Sequence, residues 1–354
     1  MSKDKAQGFL KGAAILSVST VIVKMVGLLF SVFISNTIGV ENVGYSTVAY
    51  DIFAIFNAAA TVGLPVAMAK LVSAAYANNR PKRAEKIYSV AVRSFSIFGM
   101  VCSAAMFIFA QQFEYLFKME GVIYSIRALA PTVFFCCVMS AVRGYFQGRS
   151  NMTPTAMSQT IEAVTKLLFG VSIAYALNKM WGEGKYSAAG SILGVSISAG
   201  IGMVYLLVRK RKQKKLDKIN DVFDDSEEQP GSGRSILKEL LKLSIPITLG
   251  ACLLQGINFI DSAIINNRLD DIKAITQMLP KDLYSLWGNA TKIFDLPGSI
   301  VIALSTSILP VLATAYERKD MKSVSRNIST SLRLTFMITI PCTIGFILYA
   351  QPVA

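Results

Sequence analysis

Long apolar runs constrain this chain more than any other feature. A bilayer core of roughly 30 Å is crossed by about 20 consecutive apolar helical residues. About nine stretches meet that length, at 9–36, 44–76, 87–110, 121–142, 155–177, 186–208, 236–265, 285–315 and 324–349. Inside hydrocarbon the backbone must satisfy its own hydrogen bonds, so spans of this kind are helices. The reading is an all-α polytopic membrane protein. A soluble chain of 354 residues would need a well-charged surface, but only 16% of these residues are charged and 53% are hydrophobic.

The charges that remain order the spans. Basic residues gather at Lys3, Lys5 and Lys11, then at Arg80, Lys82, Arg83 and Lys86, then at Arg143 and Arg149. They return in the run Arg209 to Lys218, with seven basic residues in ten, and at Arg318, Lys319, Lys322 and Arg326. The intervening connections hold few, and 37–43 holds none. Excess Lys and Arg mark cytoplasmic loops, so the alternation predicts a multi-pass protein of the bacterial plasma membrane with its N-terminus in the cytoplasm. Topology thus accounts for the net charge of +14 without nucleic acid. The run at 209–218 is also suited to anionic membrane lipids.

Catalytic chemistry finds little support. There is no His, which removes imidazole bases and His-ligated metals. All five cysteines fall inside expected helices rather than in a disulfide framework. No P-loop, dinucleotide fingerprint, catalytic triad or Cys-rich cluster appears. The expectation is a carrier with no cofactor and no metal, not an enzyme.

Residues 210–235 pass from a basic run through an acidic stretch to Pro230-Gly231-Ser232-Gly233, and read as a flexible cytoplasmic linker. It divides a six-helix lobe, 1–209, from a second unit, 236–354. A faint parallel repeat joins the two. Leu10, Lys11, Leu16 and Ser17 recur as Leu237, Lys238, Leu243 and Ser244, and Ala75, Tyr76, Lys82 and Arg93 recur as Ala315, Tyr316, Lys322 and Arg333. Three helices in the second unit against six in the first suggest a truncated chain.

Ionisable groups within spans are costly and usually face a cavity or a partner. Lys24 falls near mid-membrane, where snorkelling is difficult, and suits either a cavity or a pairing with Asp51. Gln159, Glu162 and Lys166 form one helical stripe, readable as a cavity wall or as an i,i+4 salt bridge. Lys292 and Asp295 form a similar pair at the repeat-equivalent depth of Asp51. Arg93 and Arg333 lie nearer the cytoplasmic side, where they could receive a phosphate or snorkel to headgroups. Gly190, Gly194 and Ser198 read as a close-packing stripe.

The segment Arg143-Gly144-Tyr145-Phe146-Gln147-Gly148, with Asn151-Met152-Thr153-Pro154-Thr155 and Gln159, resembles the loop between helices four and five in a known branch of transporters. This is the polysaccharide-exporter and stage V sporulation protein B branch of the multidrug, oligosaccharidyl-lipid and polysaccharide flippase superfamily. The first span, with Lys24, Gly27 and Gly39, is similar to the same group. The resemblance implies a two-lobe transporter fold around a central cavity. It also implies movement of undecaprenyl-pyrophosphate-linked saccharides, cell-wall precursors among them, from the inner to the outer leaflet. On that reading Lys24 is the central substrate contact, assisted by Arg93, Lys166 and Arg333. Asp51, Gln159, Glu162, Lys292 and Asp295 tune the cavity or bind a coupling cation, unless the membrane potential drives transfer. Arg143, Gly144, Gln147, Gly148 and Pro154 carry the family motif. In the related lipid II flippases Lys24 matches an arginine position, whereas Phe30 stands at a second basic position. Lipid II and other lipid-linked oligosaccharides both stay open. The alternatives are a cation-coupled multidrug or metabolite exporter, marked by an acidic and aromatic cavity, and a non-transporting scaffold for envelope synthesis.

Overall fold

The computed structural model describes residues 3–219, 231–276, parts of 283–301, and 320–348. Among these residues the chain is helical throughout, without a strand, and eight helical segments are long and apolar enough to cross a membrane. They match seven of the expected spans and the last one. The expected span at 285–315 lies largely outside the described residues.

The helices are α1 (Lys3–Ile38), α2 (Val43–Thr61), α3 (Gly63–Ala77), α4 (Pro81–Ile108), α5 (Ala110–Phe117), α6 (Val122–Gly148), α7 (Thr153–Trp181), α8 (Gly184–Ile219), α9 (Gly233–Thr276) and, after the partly described stretch, α10 (Met321–Leu348). Local chemistry sets their ends. Pro81 and Pro154 begin α4 and α7, where a missing N–H costs no intrahelical bond. Gly182 ends α7 in the left-handed conformation, φ +64°. Asp320 caps α10, with Oδ1 accepting the Ser323 N–H at 3.1 Å and Oδ2 the Ser323 hydroxyl at 2.6 Å, and these bonds hold its carboxyl below the ordinary range.

Three boundaries differ from the sequence expectation. The single span expected at 44–76 is two helices broken at Val62, because Pro65 cannot donate to the Thr61 carbonyl and its ring crowds that carbonyl. The Arg143–Gly148 segment, expected in a loop, forms the end of α6, and the connection shrinks to 149–152. Its glycines explain why the helix packs: a Cβ on Gly144 would meet Met68 Cβ at 2.8 Å, and one on Gly148 would meet the Ala69 carbonyl at 2.7 Å, so α6 lies close on α3. The linker expected at 210–235 also starts late, since α8 continues to Ile219.

Buried charge holds that extension of α8. Lys210 pairs with Glu85, and Arg149 forks onto Asp217 at 2.5 and 2.9 Å. Tyr145 donates to Glu85 at 3.2 Å and exchanges a hydrogen bond with Tyr76 at 3.1 Å, while Arg149 donates to the Tyr145 hydroxyl at 3.0 Å. The Lys210 ammonium stands 4.0 Å from the Tyr145 ring centre and 4.6 Å from that of Tyr88. This network ties α3, α4, α6 and α8 together, and the Arg83–Glu239 pair at 3.0 Å adds the start of α9. The basic segments 80–86, 143–149 and 209–218 therefore converge at one end of the bundle, as their alternation along the sequence requires.

Above the network α6 is the central helix, packed on α2, α3, α4 and α8, while α7 packs on α8 and α1. The α7–α8 seam is tight because a Cβ on Gly194 would lie 2.3 Å from Gly170 Cα. At the opposite end α9 and the 283–288 stretch meet α2 and α5. Ser285 Oγ accepts the Gly44 N–H at 2.7 Å and donates to the Glu41 carbonyl at 3.0 Å, and Phe259 packs edgewise on Phe117 at 5.5 Å.

Candidate substrate cavity

The polar residues of α1, α6 and α7 do not point outward to lipid as a group. They surround a cavity of about 670 Å³ within the first six spans, lined by α1, α2, α3, α6, α7 and α8. Lys24, Gln159, Glu162 and Lys166 all line it, as expected of a cavity wall. Arg143 and Gln147 of the family motif line it too. The kinship of these six side chains in space comes from helix phase. Gln159, Glu162 and Lys166 share one face of α7, and Arg143 and Gln147 are one turn apart on α6.

The charges inside are unequally matched. Arg143 pairs with Glu162, and its Nε donates to Ser158 at 3.0 Å. That pairing replaces the Glu162–Lys166 bridge within α7, because α6 brings a guanidinium to the carboxylate from the side. Lys166 turns to aromatic faces, with Nζ 4.5 Å from the Phe30 ring centre and 5.2 Å from that of Tyr50. A desolvated cation–π contact is worth up to about 2 kcal/mol and leaves the positive charge in place. Phe30 is thus a platform for the Lys166 cation. Among the described residues no carboxylate lies within salt-bridge distance of Lys24 or Lys166. Among these residues, then, the cavity carries two positive charges without a carboxylate partner. Thr155 also lines it, and its buried hydroxyl has no hydrogen-bond partner.

The other sequence candidates lie elsewhere. Asp51 is outside the cavity lining, and its Oδ2 accepts the Tyr284 hydroxyl at 2.6 Å where α2 meets the 283–288 stretch. Arg93 on α4 and Arg333 on α10 are exposed and absent from the cavity. Lys292 and Asp295 fall outside the described residues. Gly144 and Gly148 serve helix contact, and Pro154 is buried in the first turn of α7.

The chain's residues 9–315 match the family model described as polysaccharide biosynthesis protein. The chain belongs to this family. Among curated relatives, this polysaccharide biosynthesis family member is 28% identical over 333 residues to stage V sporulation protein B of Bacillus subtilis, covering 94% of the chain and 63% of that protein. It is 22% identical over 356 residues to the lipid II flippase MurJ of the same organism, covering 97% of the chain and 64% of the relative. The chain therefore spans a little under two thirds of the length of these relatives. Its fold is that of the MOP superfamily. An inward-facing MATE family multidrug resistance transporter aligns with a TM-score of 0.68 at 14% identity, covering 98% of this chain and 74% of that one. A MOP superfamily transporter from Pyrococcus furiosus aligns with a TM-score of 0.67 at 15% identity, covering 100% and 76%. The family member is accordingly a multi-pass membrane protein with an all-helical fold of this type.

Proposed function

We propose that this protein is a flippase that moves a polyprenyl-pyrophosphate-linked saccharide from the inner to the outer leaflet of the bacterial plasma membrane. The observation that carries the reading is the pair Lys24 and Lys166, two ammonium groups lining one cavity with no carboxylate within salt-bridge distance among the described residues. A cation deep in a membrane costs about 2.5–3.5 kcal/mol even by lenient measures, so leaving two of them unmatched favours an anionic ligand. A pyrophosphate supplies the missing charge and several acceptor oxygens. Gln159 and Gln147 add donors to the same wall, and the Arg143–Glu162 pair fixes its shape. Arg93 and Arg333, being exposed, serve headgroup capture at the basic end rather than the cavity.

In this reading the first lobe, with α8 to Ile219, rocks against the unit that begins with α9 at Gly233. The basic end faces the cytoplasm. Asp51 couples a cation or the membrane potential to that motion through the contact with Tyr284. The similarity to a lipid II flippase and to a sporulation protein supports the substrate class. It leaves the headgroup open. The multidrug exporter reading is weaker, because among the described residues the carboxylate that lines the cavity, Glu162, is already paired with Arg143.

The test is leaflet transfer of undecaprenyl-pyrophosphate-linked sugars in proteoliposomes, run beside Lys24→Ala. Transfer by the parent and its loss in a folded K24A protein is the expected result. No transfer of any lipid-linked sugar by the folded full-length protein would overturn the proposal.

A further inference from the structure

A second cavity, of about 940 Å³, opens at the end of the bundle opposite the basic network. It is built from the ends of spans and the segments that connect them. The segment 109–121, between the spans ending at Ile108 and beginning at Val122, forms one side. Asn42 and Tyr45 at the start of α2 and the Glu183–Lys185 turn form the other. Its chemistry differs from that of the membrane cavity. Amides, carboxylates and phenols dominate, and three Glu against two Lys leave the lining slightly negative.

Several of these groups are available to a ligand. The Gln111, Tyr115 and Glu120 side chains are solvent-exposed, Tyr115 to 80%. Tyr115 stands on the short helix α5, between the span that ends at Ile108 and the one that begins at Val122. The Trp181–Tyr186–Tyr124 stack, with ring centres 4.8 and 5.0 Å apart, leads up to the cavity rim. Glu114 is held in place because its Oε2 accepts the Ile123 N–H at 2.8 Å. A metal ion is a poor occupant, because among the described residues no three carboxylates converge on one point.

A lining of oriented amides and carboxylates beside exposed phenol rings suits a polyhydroxylated, uncharged ligand. Carboxylate and amide oxygens accept sugar hydroxyls, amide N–H groups donate to them, and a ring face covers the apolar C–H face of the sugar. The negative balance disfavours a phosphate. We infer that this cavity is a saccharide-binding site, which receives the sugar headgroup of the transported lipid when it emerges at the outer face. The assignment of the ligand to a transported headgroup rests on the flippase reading above; the chemistry of the site does not.

The experiment uses the protein in nanodiscs, with N-acetylglucosamine, glucose and galactose trisaccharides and inorganic pyrophosphate as separate ligands, read by saturation-transfer NMR. At least one trisaccharide is expected to bind. Its affinity should fall about tenfold in Tyr115→Ala and in Gln111→Ala, as for loss of one good contact, and be unchanged in Lys214→Ala, an exposed position at the opposite, basic end. Pyrophosphate should not displace it. Both pocket positions are exposed, so the variants keep the fold. Absence of binding by every trisaccharide, or binding indifferent to both pocket variants, would overturn the inference. Leaflet transfer measured on the same preparations separates the two ideas. Transfer without trisaccharide binding removes the pocket and keeps the flippase. Binding without transfer keeps the saccharide site and removes the flippase.

Discussion

Cations gather in two parts of this molecule, and the two parts treat them differently. At the basic end, Lys210 and Arg149 each meet a carboxylate, and tyrosine hydroxyls satisfy much of what remains. In the membrane cavity Arg143 is matched by Glu162, while Lys24 and Lys166 have no carboxylate partner among the described residues. A fold that supplied counter-charges throughout would be more stable. The difference marks the first region as a fastening and the second as a receptor, because an unmatched charge in a low-dielectric site is favoured only when a ligand completes it.

The comparison breaks most visibly at Glu85. Glu85→Ala strands the Lys210 ammonium among Tyr88 and Tyr145 and should cost about 3–5 kcal/mol of stability, the range for breaking a buried pair from one side. Replacing Glu85 and Lys210 together by Leu and Met should recover most of that loss. Thermal or denaturant unfolding of the three proteins checks it. If the single variant is as stable as the parent, the network is not a fastening.

Lys24→Met and Lys166→Met should behave in the opposite way. Each removes an unmatched charge, so unfolding midpoints should stay level or rise slightly. Leaflet transfer should fall about 10- to 100-fold in each, matching the roughly 1.5–3 kcal/mol of a charge-assisted hydrogen bond. Lys166 contributes to packing on Phe30 and Tyr50, so Lys166→Met is the milder change in shape. A variant that unfolds readily while its folded fraction transfers normally would reverse the assignment for that lysine.

Glu162→Gln sharpens the contrast inside the cavity itself. It frees Arg143 and raises the positive charge of the lining by one, so inorganic pyrophosphate should bind severalfold more tightly, as isothermal titration can show. Weaker binding would mean that Glu162 contacts the ligand directly instead of positioning Arg143.

How far the sequence reaches follows from the same physics. The spans are legible because hydrocarbon demands length and apolarity, which a count of residues reveals. The cavity face of α7 is legible because Gln159, Glu162 and Lys166 recur at helical spacing. The partner of Glu162 is not, since Arg143 comes from another helix and its segment reads as a loop until Gly144 and Gly148 are seen to press on α3. The network at the basic end was overlooked although a signal exists. Glu85 is the one acid within the basic segment 80–86, and Asp217 the one acid within 209–218. A lone carboxylate in a basic segment marks where a cation is to be buried. Arg93 and Arg333 show the converse, as a shared place in a repeat says nothing about which side of a helix faces a cavity.

The smallest effect belongs to the Glu183–Lys185 pair at 2.6 Å, on the rim of the outer cavity. Both side chains are largely hydrated there, so the attraction is screened and offset by the entropy of holding two flexible chains. Lys185→Ala should leave the unfolding midpoint unmoved, in contrast to Glu85→Ala, although both changes break an ion pair of similar geometry. It should also alter trisaccharide binding by less than about twofold, because an uncharged sugar gains little from a lysine that is already paired. An anionic ligand would lose far more. Measuring a neutral trisaccharide and its phosphorylated form against Lys185→Ala therefore tests what the outer cavity selects. A strong loss for the neutral sugar would place Lys185 in direct contact with its hydroxyls. A strong loss confined to the phosphorylated sugar would show that the outer cavity also accepts charge, and so remove the division of labour between a cationic cavity for the pyrophosphate and a hydroxyl-reading one for the glycan.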